Sequence, residues 1–286
     1  MNANRMADRI ASLMLWLAGV TILCVLAWLL WRILAGGLPH VSFRFLFGRP
    51  REIQVGGGIG PQLFNSFYIL FLSLAFSLPI GFAAGIYLAM YARRNRFTSF
   101  IRVSIESLSS IPSIVFGLFG LLVFVNWMQF KFSILSGALT LALLHLPVLV
   151  SVTETSLRAV PVSYFEASLA LGSTKWQAIR KALIPAALPN LVTGVTLAAG
   201  RALGESAALI YTAGLSVSRR FPDFDPMSAG ETLAVHLWYV QAESVVPDAK
   251  QIAQGSAAVL VLVVLLFNLL IAVPSRLLQK RLSGGK

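Results

Sequence analysis

The sequence predicts an all-α integral membrane protein with six transmembrane helices, on three observations. Hydrophobic residues make up 57% of the 286 residues and charged residues only 12%, whereas a soluble domain carries about 25% charged residues. The mean hydropathy is +0.79. Six segments are long and apolar enough to cross a bilayer, which takes about 20 residues of helix.

The predicted spans are distributed along the whole chain. In order they cover residues 12–34, 64–91, 109–130, 134–153, 188–215 and 256–278. The first follows Arg5 and Arg9 and resembles a signal peptide, but its apolar stretch is too long and lacks a small-residue cleavage site. We therefore expect an uncleaved anchor that forms the first span. The second lies in a charge-free run, and a tight turn near Lys131 separates the third from the fourth.

Charge distribution predicts the orientation. Lysines and arginines are more frequent in the segments that share a side with the two termini, which favours both termini in the cytoplasm. The net charge of +12 is spread between apolar runs, at the level of lipid headgroups, and forms no nucleic-acid-binding stripe. We divide the chain into an anchor span with the first outer loop (1–63), a core (64–280) and a short cytoplasmic tail (281–286).

The inner loop at residues 154–187 carries the clearest local signals. A short helix is predicted after Pro161, a left-handed stop at Gly172, and a capping box at Thr174 and Gln177 that opens an amphipathic helix. Two prolines, Pro185 and Pro189, are expected to separate this element from the fifth span. Physical reasoning alone gives a bent interfacial element, which the inner loops of many membrane proteins contain.

The same loop resembles the EAA motif of bacterial ABC importer permeases. Glu166, Ala167, Gly172 and Pro185 match that motif in register. Three positions depart from it conservatively: Ser168 for Ala, Ala182 for Ile and Ile184 for Leu. The resemblance implies a type I ABC importer-like permease with a cytoplasmic coupling helix between spans four and five. In that family the loop docks onto the ATP-binding subunit, so the four matching residues are the expected coupling residues.

Two charged residues, Arg201 and Glu205, lie within the predicted fifth span. A spacing of four residues places them on one face of a helix, and a charge at mid-membrane costs at least about 2.5–3.5 kcal/mol on insertion scales. Two interpretations stay open. The side chains neutralise each other and pin the helix, or they line the translocation path and Arg201 meets an anionic solute.

Three short stretches are similar to phosphate importer permeases of the PstA type: residues 200–206, 111–120 and 225–228. The similarity implies inorganic phosphate as the solute. Chemistry supports an oxyanion, because a guanidinium group binds phosphate or sulfate oxygens in a bidentate manner, but it does not choose between them. The same resemblance implies a second, different permease, two ATP-binding subunits and an extracytoplasmic phosphate-binding protein as partners, with membrane lipid around the chain.

The sequence thus predicts a non-catalytic permease subunit of the cytoplasmic (inner) membrane, without cofactor or metal. It contains no Walker-type phosphate-binding loop, so ATP hydrolysis must occur in another subunit. One alternative is a permease for another oxyanion, such as molybdate, sulfate or phosphonate. A second is an ion-coupled transporter or channel that acts alone. A membrane enzyme is disfavoured, because the spans show no metal-ligand cluster and no nucleophile–base–acid set.

Overall fold

Helices form almost all the regular structure in the residues that the computed structural model describes: 2–51, 55–93, 95–243 and 246–282. The β-structure found within these ranges is a single antiparallel bridge between Val217 and Gly230. The predicted all-α class is confirmed. Residues 283–286 of the predicted tail lie outside the described residues.

The helices alternate between long spans and short connecting pieces. In chain order they are α1 Asn2–Gly37, α2 Phe43–Phe47, α3 Gly60–Met90, α4 Arg96–Ser109, α5 Ser113–Gly120, α6 Ile134–Arg158, α7 Val162–Ala170, α8 Lys175–Ala178, α9 Ile184–Leu203, α10 Ala207–Ile210, α11 Leu233–Ala242 and α12 Ala249–Leu282. Wider π-type turns extend α5 through Leu121–Trp127 and join α8 to α9 through Ile179–Leu183.

Six spans are present if one bent pair is counted as a single crossing. Five described helices are long and apolar enough to cross a membrane, and α4 with α5 passes the same test as a pair bent by 95°. The third span was predicted as a single helix over residues 109–130. That prediction is wrong, because the span consists of two helices that meet at a sharp bend. The physical reason is Pro112, which disfavours a helical conformation at the residue before it and supplies no backbone N–H of its own.

The fifth span also differs from its prediction of 188–215. Helical structure runs without interruption over Lys175–Leu203, with Pro189 inside it. The prolines do not separate the amphipathic helix from the span, because the backbone widens before Pro185. There the N–H of Ile184 bonds to the carbonyl of Ile179, five residues earlier. Such a turn accommodates a proline ring that would otherwise collide with a carbonyl of the preceding turn.

Glycines bring the spans into close contact around a core formed by α3, α6, α9 and α10. A Cβ atom on Gly81 of α3 would lie 2.8 Å from the Cβ of Leu149 on α6. One on Gly117 of α5 would lie 2.8 Å from the Cα of Ala208 on α10. Small residues at such contacts let membrane helices approach closely. In contrast, the apolar stretch of α1 is exposed along its length.

The stretch 225–228 caps the N-terminus of α6. The carbonyls of Ser228 and Pro226 accept hydrogen bonds from the N–H groups of Ile134 and Leu135, at 2.9 and 2.8 Å. These N–H groups belong to the first turn of α6 and have no partner within the helix. The loop therefore fixes the end of α6 next to the turn that precedes it.

Candidate functional site

The α9 helix stops at Leu203, close to the charged residues that the sequence singles out. Gly204 ends it, with its N–H bonded to the carbonyl of Arg201 at 3.2 Å. The short helix α10 begins three residues later at Ala207. The chain thus breaks its helix between Arg201 and Glu205, and the prediction that both share one helix face is wrong. Glycine at the C-cap favours the break, because it is a poor helix former.

Glu205 lies in this break and is only 9% exposed. Its Oε1 accepts a hydrogen bond of 3.2 Å from the backbone N–H of Ala208, in the first turn of α10. A carboxylate at the start of a helix satisfies an N–H group that lacks an intrahelical partner. Glu205 therefore positions α10 relative to the end of α9.

Arg201 occupies the last turn of α9, and its side chain is exposed. Among the described residues the ion pairs are Arg102–Glu154, Arg158–Glu154 and His236–Glu231. Mutual pairing of Arg201 and Glu205 is therefore not seen in this structure. A cation near a helix C-terminus interacts favourably with the helix dipole, so the positive charge of Arg201 is stabilised by its own helix. Because its side chain is exposed, it is also accessible to an external anion.

The bend of the third span adjoins the same region. Helix α5 packs against α10 at the contact between Gly117 and Ala208, and α5 begins just after the bend at residues 110–112. Ser109 and Ser110 are exposed at this bend. The segment after one interruption, α5, thus packs against the segment after the other, α10, an arrangement that transporters use to present backbone groups and helix ends to a solute.

A second candidate site is the knob formed by α7, the turn at Gly172 and α8. Helix α7 follows Pro161 as predicted. Gly172 has a φ of +82°, a left-handed conformation that glycine adopts without steric cost. The hydroxyl groups of Ser168 and Ser173 lie 2.7 Å apart across the turn. The predicted glycine turn is confirmed, and hydrogen bonds between Ser168 and Ser173 stabilise it.

The predicted capping box is also confirmed. The N–H of Gln177 donates to the hydroxyl of Thr174 at 3.3 Å, and the N–H of Thr174 donates to Oε1 of Gln177 at 2.9 Å. Both bonds satisfy N–H groups at the start of α8. The knob therefore has a defined shape on both sides of Gly172.

The surface of the knob carries three of the four predicted coupling residues, and the fourth, Pro185, lies beyond it in the first turn of α9. Glu166, Ala167, Gly172 and Pro185 are all exposed. Large apolar side chains surround them, of which Leu171 is 89% exposed, and the others are Val162, Tyr164, Leu169 and Trp176. Several exposed large apolar side chains on one short element are typical of a protein contact.

The knob is anchored to the spans by its inner face. Phe165 of α7 packs against a buried cluster of Leu157, Ile179, Leu183, Ala187 and Leu191. Because α6 and the α8–α9 helix contribute these residues, the knob packs against two membrane spans.

Two polar groups escaped the sequence analysis. Glu154 binds Arg102 and Arg158 near the end of α6, and the spacing of four residues between Glu154 and Arg158 is a signal that could have identified that pair. Near the start of α3, Nε2 of Gln62 donates to Glu231 at 2.8 Å, while His236 lies 3.2 Å from the same carboxylate. No local pattern links Gln62 to Glu231, because 169 residues separate them.

Family comparison agrees with the geometry of the knob and spans. Residues 81–284 match the model of a family described as binding-protein-dependent transport system inner membrane component.

Individual relatives cover almost the entire chain. A probable ABC transporter permease protein, YqgI of Bacillus subtilis, is 44% identical and covers 99% of both chains. The phosphate transport system permease protein PstA of Haemophilus influenzae is 35% identical over 90% of this chain and 91% of its own. The PstA protein of Yersinia pestis is 33% identical over 93% and 89%.

Solved structures share the fold. A chain of the MetNI methionine ABC transporter in an inward facing conformation superposes with a TM-score of 0.62 at 21% identity, over 76% of this chain and 94% of that one. A chain of a bacterial ABC transporter that imports the acidic polysaccharide alginate superposes with a TM-score of 0.61 at 13% identity, over 91% and 95%.

Proposed function

Because this chain belongs to the binding-protein-dependent transport system inner membrane components, we propose that it is the permease subunit of an ATP-driven importer of inorganic phosphate. The chain is an ABC importer permease, a multi-pass and non-catalytic subunit of the inner membrane. A permease of this family works with a partner permease, an ATPase and a substrate-binding protein. The proposal specifies the solute, the residues that contact it and the residues that contact the ATP-binding subunit.

Phosphate is proposed as the solute because the chain is similar to PstA proteins over nine-tenths of its length. The fold alone does not identify the solute, since the solved structures that share it belong to a methionine transporter and an alginate importer. The relative with 44% identity is named only as a probable permease. Exposed Arg201 agrees with an oxyanion, because its planar fork matches two phosphate oxygens.

In the proposed path, Arg201 meets the phosphate beside the breaks in the third and fifth spans. Glu205 lines the path close by, and its carboxylate keeps α10 in place through the N–H of Ala208. The exposed side of Arg201 faces away from this chain's core. We propose that the second permease covers that side, so that the solute lies between two subunits.

The proposed ATPase contact is the knob surface around Glu166, Ala167 and Gly172, together with Pro185 at the start of α9. One ATP-binding subunit docks there, and a second docks on the partner permease. A phosphate-binding protein delivers the solute on the opposite face. This arrangement places the knob and both termini in the cytoplasm, in agreement with the distribution of lysines and arginines.

Solute identity is tested by the ATPase activity of the complete complex in proteoliposomes. We expect phosphate-loaded binding protein to stimulate ATP hydrolysis severalfold over unloaded binding protein. Stimulation that requires sulfate, molybdate or a phosphonate instead would assign the permease to that oxyanion and refute phosphate. A chain that transports solute without any ATPase subunit would support an ion-coupled transporter.

A further inference from the structure

Three cations from three different helices converge on the last turn of α3. Arg102 of α4 and Arg158 of α6 each donate from Nη2 to the carbonyl of Leu88, both at 3.2 Å. Lys175, the first residue of α8, lies 4.2 Å above the ring of Tyr91. The carbonyls at a helix C-terminus have no intrahelical partners and carry partial negative charge. The two arginines therefore cap α3 from outside it, and Lys175 contacts Tyr91, the residue that follows α3.

Glu154 joins two of these cations. Its Oε1 accepts from Nε of Arg102 at 2.8 Å and lies 2.9 Å from Nη2 of Arg158. The residue is only 8% exposed. We call the group formed by Leu88, Tyr91, Arg102, Glu154, Arg158 and Lys175 the α3 collar. Without the carboxylate, two guanidinium groups would share one carbonyl with no charge to offset them.

The collar holds the knob just before α7 and again at the start of α8. Arg158 is the last residue of α6, and α7 begins four residues later at Val162. Lys175 follows the glycine turn by three residues and begins α8. The chain therefore leaves the collar, forms the exposed surface of the knob, and returns to the collar. The knob can move only if these contacts move with it or break.

The collar is also the start of a continuous route to Arg201. Arg102 belongs to α4, which leads through the bend at residues 110–112 into α5. Helix α5 contacts α10 where Gly117 meets Ala208, and α10 is held to the break after Arg201 by Glu205. A shift of α4 thus reaches the charged region through packed elements rather than through a flexible linker.

We propose that the α3 collar makes the knob, α3 and α4 one rigid unit, with Glu154 as the positioning residue that carries the knob's displacement to the bend between α4 and α5. The inference rests on the proposed function only in that the knob receives the ATPase stroke. Hydrogen-bonded ion pairs suit this task because they have a defined direction and geometry. Apolar contacts such as that of Phe165 are less directional.

The rigid-unit claim is tested by a distance between spin labels in the assembled complex. Labels are attached through Ser163→Cys on α7 and Ser107→Cys on α4, both exposed positions, in a Cys24→Ser background. We expect one narrow distance population that ATP does not change. In the Glu154→Gln variant we expect the population to broaden and to shift when ATP is added.

Two outcomes of this measurement would overturn the proposal. One is a label distance in the unsubstituted collar that changes with ATP, since knob and α4 would then move separately. The other is a Glu154→Gln variant whose distance stays narrow and insensitive to ATP. Arg102→Gln provides a second variant in case Glu154→Gln does not assemble. Its label distance should also broaden and should shift when ATP is added. Arg96→Gln removes an exposed arginine from the same helix and should behave as the parent does.

A functional readout distinguishes this proposal from the choice of solute. We expect Glu154→Gln to retain ATP hydrolysis and ATPase binding, while the phosphate moved per ATP falls at least about tenfold, because the buried carboxylate that holds Arg102 and Arg158 together loses its charge. An unchanged ratio would contradict the role of Glu154. A parent complex that moves no phosphate would refute the proposed function, while the label distances still decide the collar.

Discussion

Arg201→Gln is expected to reduce phosphate uptake by at least about 100-fold while the complex still assembles. A hydrogen bond to a charged group contributes roughly 1.5–3 kcal/mol, and the guanidinium group offers two of them in parallel. Loss of both corresponds to about two or more orders of magnitude in affinity. Uptake of labelled phosphate into proteoliposomes measures the loss, and co-purification of the other subunits reports assembly.

Arg201→Lys separates charge from geometry. Lysine keeps the positive charge but presents a point charge in place of a planar fork, so we expect uptake between that of the parent and that of Arg201→Gln. Normal uptake by Arg201→Gln would refute a role in the path. Loss of assembly in that variant would show instead that Arg201 holds the helices together.

Leu171→Asp is expected to release the ATP-binding subunit from the knob. Leu171 is 89% exposed at the glycine turn, and full burial of a leucine side chain in a contact contributes about 1.5–3 kcal/mol. The substitution removes this contribution and forces a carboxylate into an apolar contact, so binding should weaken at least about tenfold. Titration of detergent-solubilised permease pair with ATPase subunits measures the affinity.

Leu171→Met is the matched control for this position. Methionine keeps an apolar side chain of similar volume, and such exchanges are well tolerated. We expect ATPase binding close to that of the parent chain. If Leu171→Asp binds ATPase subunits as tightly as Leu171→Met, the knob surface does not form the contact.

Local signals explain what the sequence predicted well. The turn at Gly172 and the capping box at Thr174 depend on residues within a few positions of each other, and both are found as expected. The spans follow from hydropathy, which needs only the composition of a window. The resemblance to ABC importer permeases rests on the same loop, and the family comparison confirms it.

Features that depend on distant parts of the chain were not predictable from the sequence. Arg102 and Glu154 are separated by 52 positions, so no periodicity brings them together. The third span was predicted as one helix over residues 109–130, without the bend of 95° that the structure shows between α4 and α5. The spacing of four residues predicted one helix face for Arg201 and Glu205, whereas the structure shows that Gly204 ends α9 and places Glu205 outside the helix.

Transport by the purified complex tests the central claim most directly. The permease pair, two ATP-binding subunits and the phosphate-binding protein are reconstituted in proteoliposomes, and radiolabelled phosphate is followed with ATP or with a non-hydrolysable analogue. We predict uptake that requires hydrolysable ATP and is blocked by unlabelled phosphate but not by sulfate or molybdate. Uptake that sulfate blocks and phosphate does not, or that proceeds without ATP, would contradict the account.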